Sequence, residues 1–314
     1  GNLYAMQRTT SMSFKLINTT HRHCVFTIDE NLRPFFLKDR SLLDCLFHSV
    51  NSVVSHMFFK QNKSMNFTPG FIMVLHTFGR DLKWNPHIHC LISEGGYSDN
   101  GFWRNCTYFN YTYLRNAFRT ALLNELETRL GPSFKKVKAT CYREHKEGFY
   151  VYAKPNKCDP NVVVKYIGRY LGRPVIATSR IDKYDGDFVT FHYNRHEDDA
   201  YIEETVPVMD FIKRLIQHIP EKHYKMIRYG GIYARHRDID KKLLRAISRK
   251  KHHIYKSFNH WRNAILSSFG YDPLKCECGA TMLFLELYFN HKRVSLKEMY
   301  EKAMSRSRGI RSSA

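Results

Sequence analysis

Two apolar, β-branched runs, Phe71 to Phe78 and Trp84 to Ile92, flank the link Gly79-Arg80-Asp81. So short a link closes an antiparallel hairpin, because a parallel pairing needs a crossover of a dozen or more residues. The second run, Trp84-Asn85-Pro86-His87-Ile88-His89-Cys90-Leu91-Ile92, carries two histidines one residue apart. Alternate residues of a strand project from one face. His87 and His89 therefore present adjacent imidazoles, while Ile88 turns into the core. Two imidazoles are half of a divalent-metal site, suited to Mn²⁺, Zn²⁺, Fe²⁺ or Co²⁺ and less to Mg²⁺. His76, on the preceding strand, can approach the same face as a third ligand; Asp81 and Gln217 are the other candidates. The register of the hairpin decides among them. Three protein ligands leave positions open for a substrate oxygen.

The rest of the chain alternates strands with a few long helices. Residues 21–28 read as a strand, closed by Asp29-Glu30-Asn31. From Ser41 to Phe59 the apolar positions fall on one helical face, with Asp39 or Ser41 as cap. Thr68-Pro69-Gly70 is expected to break the chain before the first hairpin strand, and Gly95-Gly96 to end the second. Residues 110–130 form an amphipathic helix stopped by Gly131-Pro132. Strands are expected at 136–142 and 148–152, then at 175–181, 187–193 and 200–205, a helix at 208–218 and an extended segment at 226–233. Neighbouring strands with few crossover helices predict an α+β fold on a central antiparallel sheet with flanking helices. From Arg237 the chain reads as basic and mostly helical, with a cysteine turn at Lys275–Ala280 and a basic tail expected to be disordered.

Charge narrows the partner. Fifty Lys and Arg against 29 Asp and Glu leave a formal net charge of +21. That excess predicts a polyanion, and nucleic acid is the usual one. No apolar run is long enough to cross a bilayer, and no membrane partner is expected. Cys24, Cys45, Cys90 and Cys141 sit singly in apolar runs, as reduced core thiols of a cytoplasmic protein would.

A second chemical motif lies downstream. Asp159-Pro160 opens a helix running to Leu171, in which Tyr166 and Tyr170 are four residues apart and share a face. Lys165, Arg169 and Arg173 interleave with them. Val163, Ile167 and Leu171 supply a separate apolar stripe, so the phenols are not needed as the buried set. A phenol has a pKa near 10 and becomes a nucleophile beside cations. Its attack on a phosphodiester would conserve the bond energy in a phosphotyrosine link.

A His-hydrophobic-His pair on a strand, followed by a helix bearing Tyr-x-x-x-Tyr, resembles the HUH endonuclease superfamily, and in detail its two-tyrosine rolling-circle insertion-sequence transposases. Further matching stretches are His23-Cys24-Val25-Phe26-Thr27-Ile28, Leu75-His76-Thr77-Phe78-Gly79, Gly95-Gly96, Arg169-Tyr170, Ala177-Thr178-Ser179-Arg180-Ile181, Phe211-Ile212-Lys213-Arg214 with His218, and Ile227-Arg228-Tyr229-Gly230-Gly231. They run in family order from about residue 20 to 280. The resemblance implies that His87 and His89 hold Mg²⁺ or Mn²⁺ and that Tyr166 and Tyr170 are nucleophiles forming 5′-phosphotyrosine links. It further implies that the substrate is single-stranded DNA at transposon ends, handled beside the nucleoid of a prokaryotic cytoplasm. A plasmid-type replication initiator or relaxase shares this chemistry, and a catalytically silent single-strand binder could derive from it.

The implied organisation is an N-terminal remnant or linker at 1–20, an HUH nuclease domain at 21–235 and the basic region at 236–314. The family's cysteine-rich zinc segment is not found before His21. Near the C-terminus, Cys276-Glu277-Cys278 has one intervening residue where the family usually has two. Two cysteines close no zinc site, and a structural Zn²⁺ is not expected there unless further ligands such as His291 complete it. Arg180, Lys241 and Lys242 are the remaining candidates for DNA phosphate. His21, Arg22 and His23 could face phosphate or metal, or serve in strand packing. Trp84 and Trp103 could stack on bases.

Overall fold

The computed structural model describes residues 16–17, 19–62, 67–98, 102–153, 175–195, 198–234, 262–263, 265–266, 270–282, 287–289 and 292–294. The chain divides into two compact units, residues 1–258 and 259–314.

In the first unit, β1 (His21–Phe26) is followed by helix α1 (Arg33–Lys38) and the long helix α2 (Leu43–Gln61). Asp39 caps the turn before α2, its carboxylate accepting from the Ser41 amide at 2.9 Å. The hairpin strands β2 (Phe67–Phe78) and β3 (Trp84–Ser98) come next, then β4 (Trp103–Asn105), helix α3 (Tyr111–Leu130), helix α4 (Lys135–Glu144) and β5 (Val151–Ala153). Beyond residue 174 lie β6 (Ile181–Tyr184), β7 (Phe188–Asn194), β8 (Tyr201–Pro207), helix α5 (Val208–Ile216) and β9 (Ile227–Gly231).

The central sheet runs β5-β1-β3-β2-β9, with β4 paired to the far end of β3. Every pairing in it is antiparallel. One face carries Phe26, Phe71, Met73, Leu75, Ile88, Cys90 and Ile92, and α2 and α3 cover it with Leu46, Val50, Val54, Leu114, Phe118 and Leu122. Helix α3 is fixed at its start by Asn110, whose side chain accepts from the Tyr113 amide. The opposite face holds a smaller cluster of Leu16, Ile17, Ile72, Val74, Leu91, Ile232 and Tyr233. A separate antiparallel sheet, β6-β7-β8, packs its apolar side on α5 around Phe191, Val206 and Phe211.

Four local expectations are corrected. Thr68-Pro69-Gly70 does not break the chain: β2 already begins at Phe67 and bulges between Pro69 and Phe71. There the Gly70 amide, out of register with β3, donates to Ser93 Oγ at 2.8 Å. Gly95-Gly96 does not end β3 either, because the strand continues to Ser98 to pair with β4. A Cβ on Gly96 would sit 2.6 Å from the Thr68 carbonyl oxygen. The glycines therefore let a bent strand pass close to two neighbours.

Residues 135–144 form helix α4, not a strand. Val137, Ala139 and Cys141 alternate, but the stripe that packs inward is Phe134, Val137, Cys141 and Tyr142, which is helical spacing. Residues 175–180 make a bend and a single 3₁₀ turn before β6, where a strand was expected.

In the second unit, Arg262 pairs with Asp272 at 2.6 Å, and Lys275 bridges to Thr281 around the cysteine turn. Strands β10 (Leu287–Phe289) and β11 (Lys292–Val294) form an antiparallel pair. Most of the helix expected from Arg237 onward, and the basic tail, lie outside the described residues. Among the described residues, no helix is long and apolar enough to cross a membrane.

Candidate metal centre

The hairpin register selects among the candidates for a third ligand. His76 on β2 is directly opposite His87 on β3, and Val74 is opposite His89. Directly opposed residues share a face, so all three imidazoles stand on the side of the sheet away from α2 and α3. One ring nitrogen of each lies within 4.8 Å of the others. The His76 and His89 rings have centroids 4.0 Å apart, and those of His87 and His89 5.0 Å apart. A bulge between the Phe78–Trp84 and His76–His87 pairs takes up one extra residue of β3. Pro86, with no amide to donate, falls within it.

Burial sets the charge state. The His87 imidazole is pushed down to about 4 by desolvation, against the opposing effect of the Asn85 carbonyl. Desolvation also holds His76 and His89 well below the usual histidine range, and the neighbouring histidines add to it. Neutral imidazoles are what a metal requires. His87 Nδ1 lies 2.6 Å from the Asn85 carbonyl, an acceptor only. That places its proton on Nδ1 and leaves Nε2 as a lone pair. His87 Nε2 faces His89 Nε2 at 3.1 Å. The set fits a divalent cation of borderline softness.

The other candidates separate. Asp81 turns its carboxylate to the Lys83 amide at 3.1 Å, and the Gln217 amide donates to the Leu82 carbonyl at 3.2 Å. Neither belongs to the histidine group that could hold a metal ion among the described residues. His218 lies on the helix-covered side, stacked on Trp84 at 5.9 Å and bonded to Thr77 Oγ1 and the Leu82 carbonyl.

The His21-Arg22-His23 strand splits its roles. His21 is fully buried, its Nε2 2.7 Å from Tyr233 Oη. Arg22 crosses to the other face, donates to Glu94 and Tyr111, and lies over the Phe109 ring. His23 reaches the centre, with its Nε2 2.9 Å from His89 Nδ1.

Arg180 donates to the carbonyls of His192 at 2.9 Å and Arg80 at 2.6 Å, tying the small sheet to the loop before β3. Trp84 Nε1 donates to the Arg33 carbonyl and Trp103 Nε1 to Asn105, so each indole has a structural partner. Cys276 is half-buried and Cys278 exposed, both on the tight turn closed by the Gly279 amide onto the Cys276 carbonyl. Hydrogen bonds from the Cys278 amide and thiol hold the Cys276 thiol below the usual thiol range. Tyr166, Tyr170, Lys165, Arg169, Arg173, Lys241, Lys242 and His291 lie outside the described residues.

Residues 70–240 match the profile of the family Y2_Tnp, described as Putative transposase. The transposase for insertion sequence element IS801 of Pseudomonas savastanoi pv. phaseolicola is 30% identical over 237 residues, 72% of this chain and 57% of that protein. Putative transposase y4qJ of Sinorhizobium fredii (strain NBRC 101917 / NGR234) is 28% identical over 244 residues, 71% of this chain and 61% of that protein. The chain therefore spans less than two thirds of the length of either relative. No solved structure matches it.

Proposed function

The chain belongs to the Y2_Tnp family of transposases, and on that premise we propose that it nicks and rejoins single-stranded DNA at transposon ends through 5′-phosphotyrosine intermediates. The observation that carries the reading is the group His76, His87 and His89 on two paired strands of an antiparallel sheet. In this proposal these three residues hold a divalent ion, Mn²⁺ or Mg²⁺, with three imidazoles suiting Mn²⁺ better. Once bound, such an ion supplies Lewis-acid polarisation of the scissile phosphate.

Tyr166 and Tyr170 are the nucleophiles. A phenol oxygen forms a bond to phosphorus, and the phosphorus–O3′ bond breaks. The 3′-oxygen leaves and takes up the proton, so a 3′-hydroxyl is released and the 5′-phosphate remains on tyrosine. Attack by a 3′-hydroxyl on that link reverses the sequence and joins strands without a nucleotide cofactor. Two tyrosines on one helical face can hold two ends in turn. Lys165, Arg169 and Arg173 meet backbone phosphate beside them, Arg180 adds its positive charge, and Lys241 and Lys242 extend the basic track. Residues 21–235 act as the nuclease and 236–314 as a basic DNA-holding region. Cys276 and Cys278 have no part in this reaction.

Labelled single-stranded oligonucleotides spanning the ends of the element that encodes the chain, incubated with protein and Mn²⁺, test this. Wild-type protein forms a covalent adduct resistant to denaturation. Tyr166→Phe and Tyr170→Phe each lose a different step, and the double variant forms no adduct. An adduct in the double variant removes the nucleophile assignment. No adduct from the wild-type protein on any end favours the silent single-strand binder.

A further inference from the structure

We infer that His23 is a positioning residue that fixes the tautomer of His89, so that its Nε2 presents a lone pair to an ion. The inference rests on the metal centre proposed above. His23 is diagonal to His89 across the β1–β3 pairing, in which Val25 is opposite His89 and His23 opposite Leu91. The two ring planes are within 16° of each other, with centroids 5.1 Å apart. His23 Nε2 approaches His89 Nδ1 at 2.9 Å.

The proton count then follows one direction. His87 is locked with hydrogen on Nδ1 by the Asn85 carbonyl and offers a lone pair at Nε2. Its Nε2 is 3.1 Å from His89 Nε2. For an ion to be held by both, His89 must also present a lone pair at Nε2, so its hydrogen has to sit on Nδ1. That N–H needs an acceptor, and His23 Nε2 is placed to be one. His23 must then be neutral and carry its own hydrogen on Nδ1. With the opposite assignment, His23 Nε2–H donates to His89 Nδ1, and the His89 hydrogen moves to Nε2, where it points at His87 and blocks the ion. The two arrangements exclude each other, so His23 couples the third strand of the sheet to the ligand set. Ligating histidines are commonly oriented through their second nitrogen, and loss of such a partner costs about 10–100-fold in metal affinity.

Calorimetric titration of the full chain with Mn²⁺, without DNA, gives the first readout. His23→Ala weakens binding by about 10–100-fold. His23→Gln, whose amide oxygen accepts the same hydrogen bond, restores affinity to within a few-fold. The second readout is nitrogen NMR of ¹⁵N-histidine-labelled protein loaded with Zn²⁺. In the wild-type protein, His89 shows metal on Nε2 and a hydrogen-bonded proton on Nδ1, and that proton loses its protection in His23→Ala. His89→Ala serves as the reference. If it binds Mn²⁺ like the wild type, the metal centre itself falls. If it weakens binding while His23→Ala does not, only the role of His23 falls. Failure of His23→Gln to rescue overturns the inference too, because His23 would then act as a ligand or by packing.

Discussion

His87 and His89 sit one residue apart, which alone specifies a face and no more. What turns that face into a candidate ligand set is cross-strand: His76 is in register with His87, and one slipped residue would have sent it to the helix side. The sequence contains the three histidines but not the register, so it leaves Asp81 and Gln217 open as third ligands. Both are held by backbone groups of the turn before β3, Asp81 by the Lys83 amide and Gln217 by the Leu82 carbonyl. His23 was legible only as part of a His-x-His strand of open role, since its diagonal approach to His89 depends on how β1 pairs. At this scale the chemistry makes one prediction. His87→Ala removes a ligand and abolishes Mn²⁺-dependent cleavage of single-stranded DNA, while DNA binding in a gel-shift assay stays within a few-fold of wild type. Loss of binding with cleavage per bound complex unchanged would take His87 out of the ligand set.

Helices α2 and α3 followed from apolar periodicity because each is long and buries a single stripe. Helix α4 is not legible from sequence alone, because ten residues with alternating Val137, Ala139 and Cys141 fit period two as well as period 3.6. Only the neighbours it packs against, with Phe134 leading and Tyr142 following, settle the period. Glycines misled for another reason: at Gly95 and Gly96 they signalled a close approach of backbones, not an end. The seam between β2 and β9 shows the same principle and can be tested. Gly231 has φ +57°, and a Cβ there would lie 1.7 Å from the Pro69 carbonyl oxygen, the atom that accepts from the Ile232 amide at 3.0 Å. Gly231→Ala must pay both for the left-handed backbone and for moving β2. A loss of about 2–3 kcal/mol is expected, read as a lower urea midpoint with an unchanged slope. An unchanged midpoint would mean that the seam is not held as described.

Taken whole, the molecule pairs a largely buried cluster of three imidazoles with a formal net charge of +21. In the proposed function, affinity for DNA and chemistry on DNA are therefore separable. The charge acts through phosphate and counterion release, so binding of a single strand should weaken linearly in log–log salt titration, with a slope of about −0.7 per phosphate engaged. Lys241→Gln with Lys242→Gln should flatten that slope without changing the histidine centre. A slope unaltered by the pair would place the basic region off the DNA path. The charge was legible from composition alone, whereas its layout was not, because the basic segment from Arg237 lies largely outside the described residues. Strand β3 has a further consequence. From Ile88 to Ile92 it is bonded on both sides, to β1 and to β2, so the backbone around His89 cannot open alone. The proposed centre is thus a socket built before its occupant arrives, unlike small zinc modules that unfold when stripped. Chelation of the ion and its replacement are therefore expected to leave the protein folded.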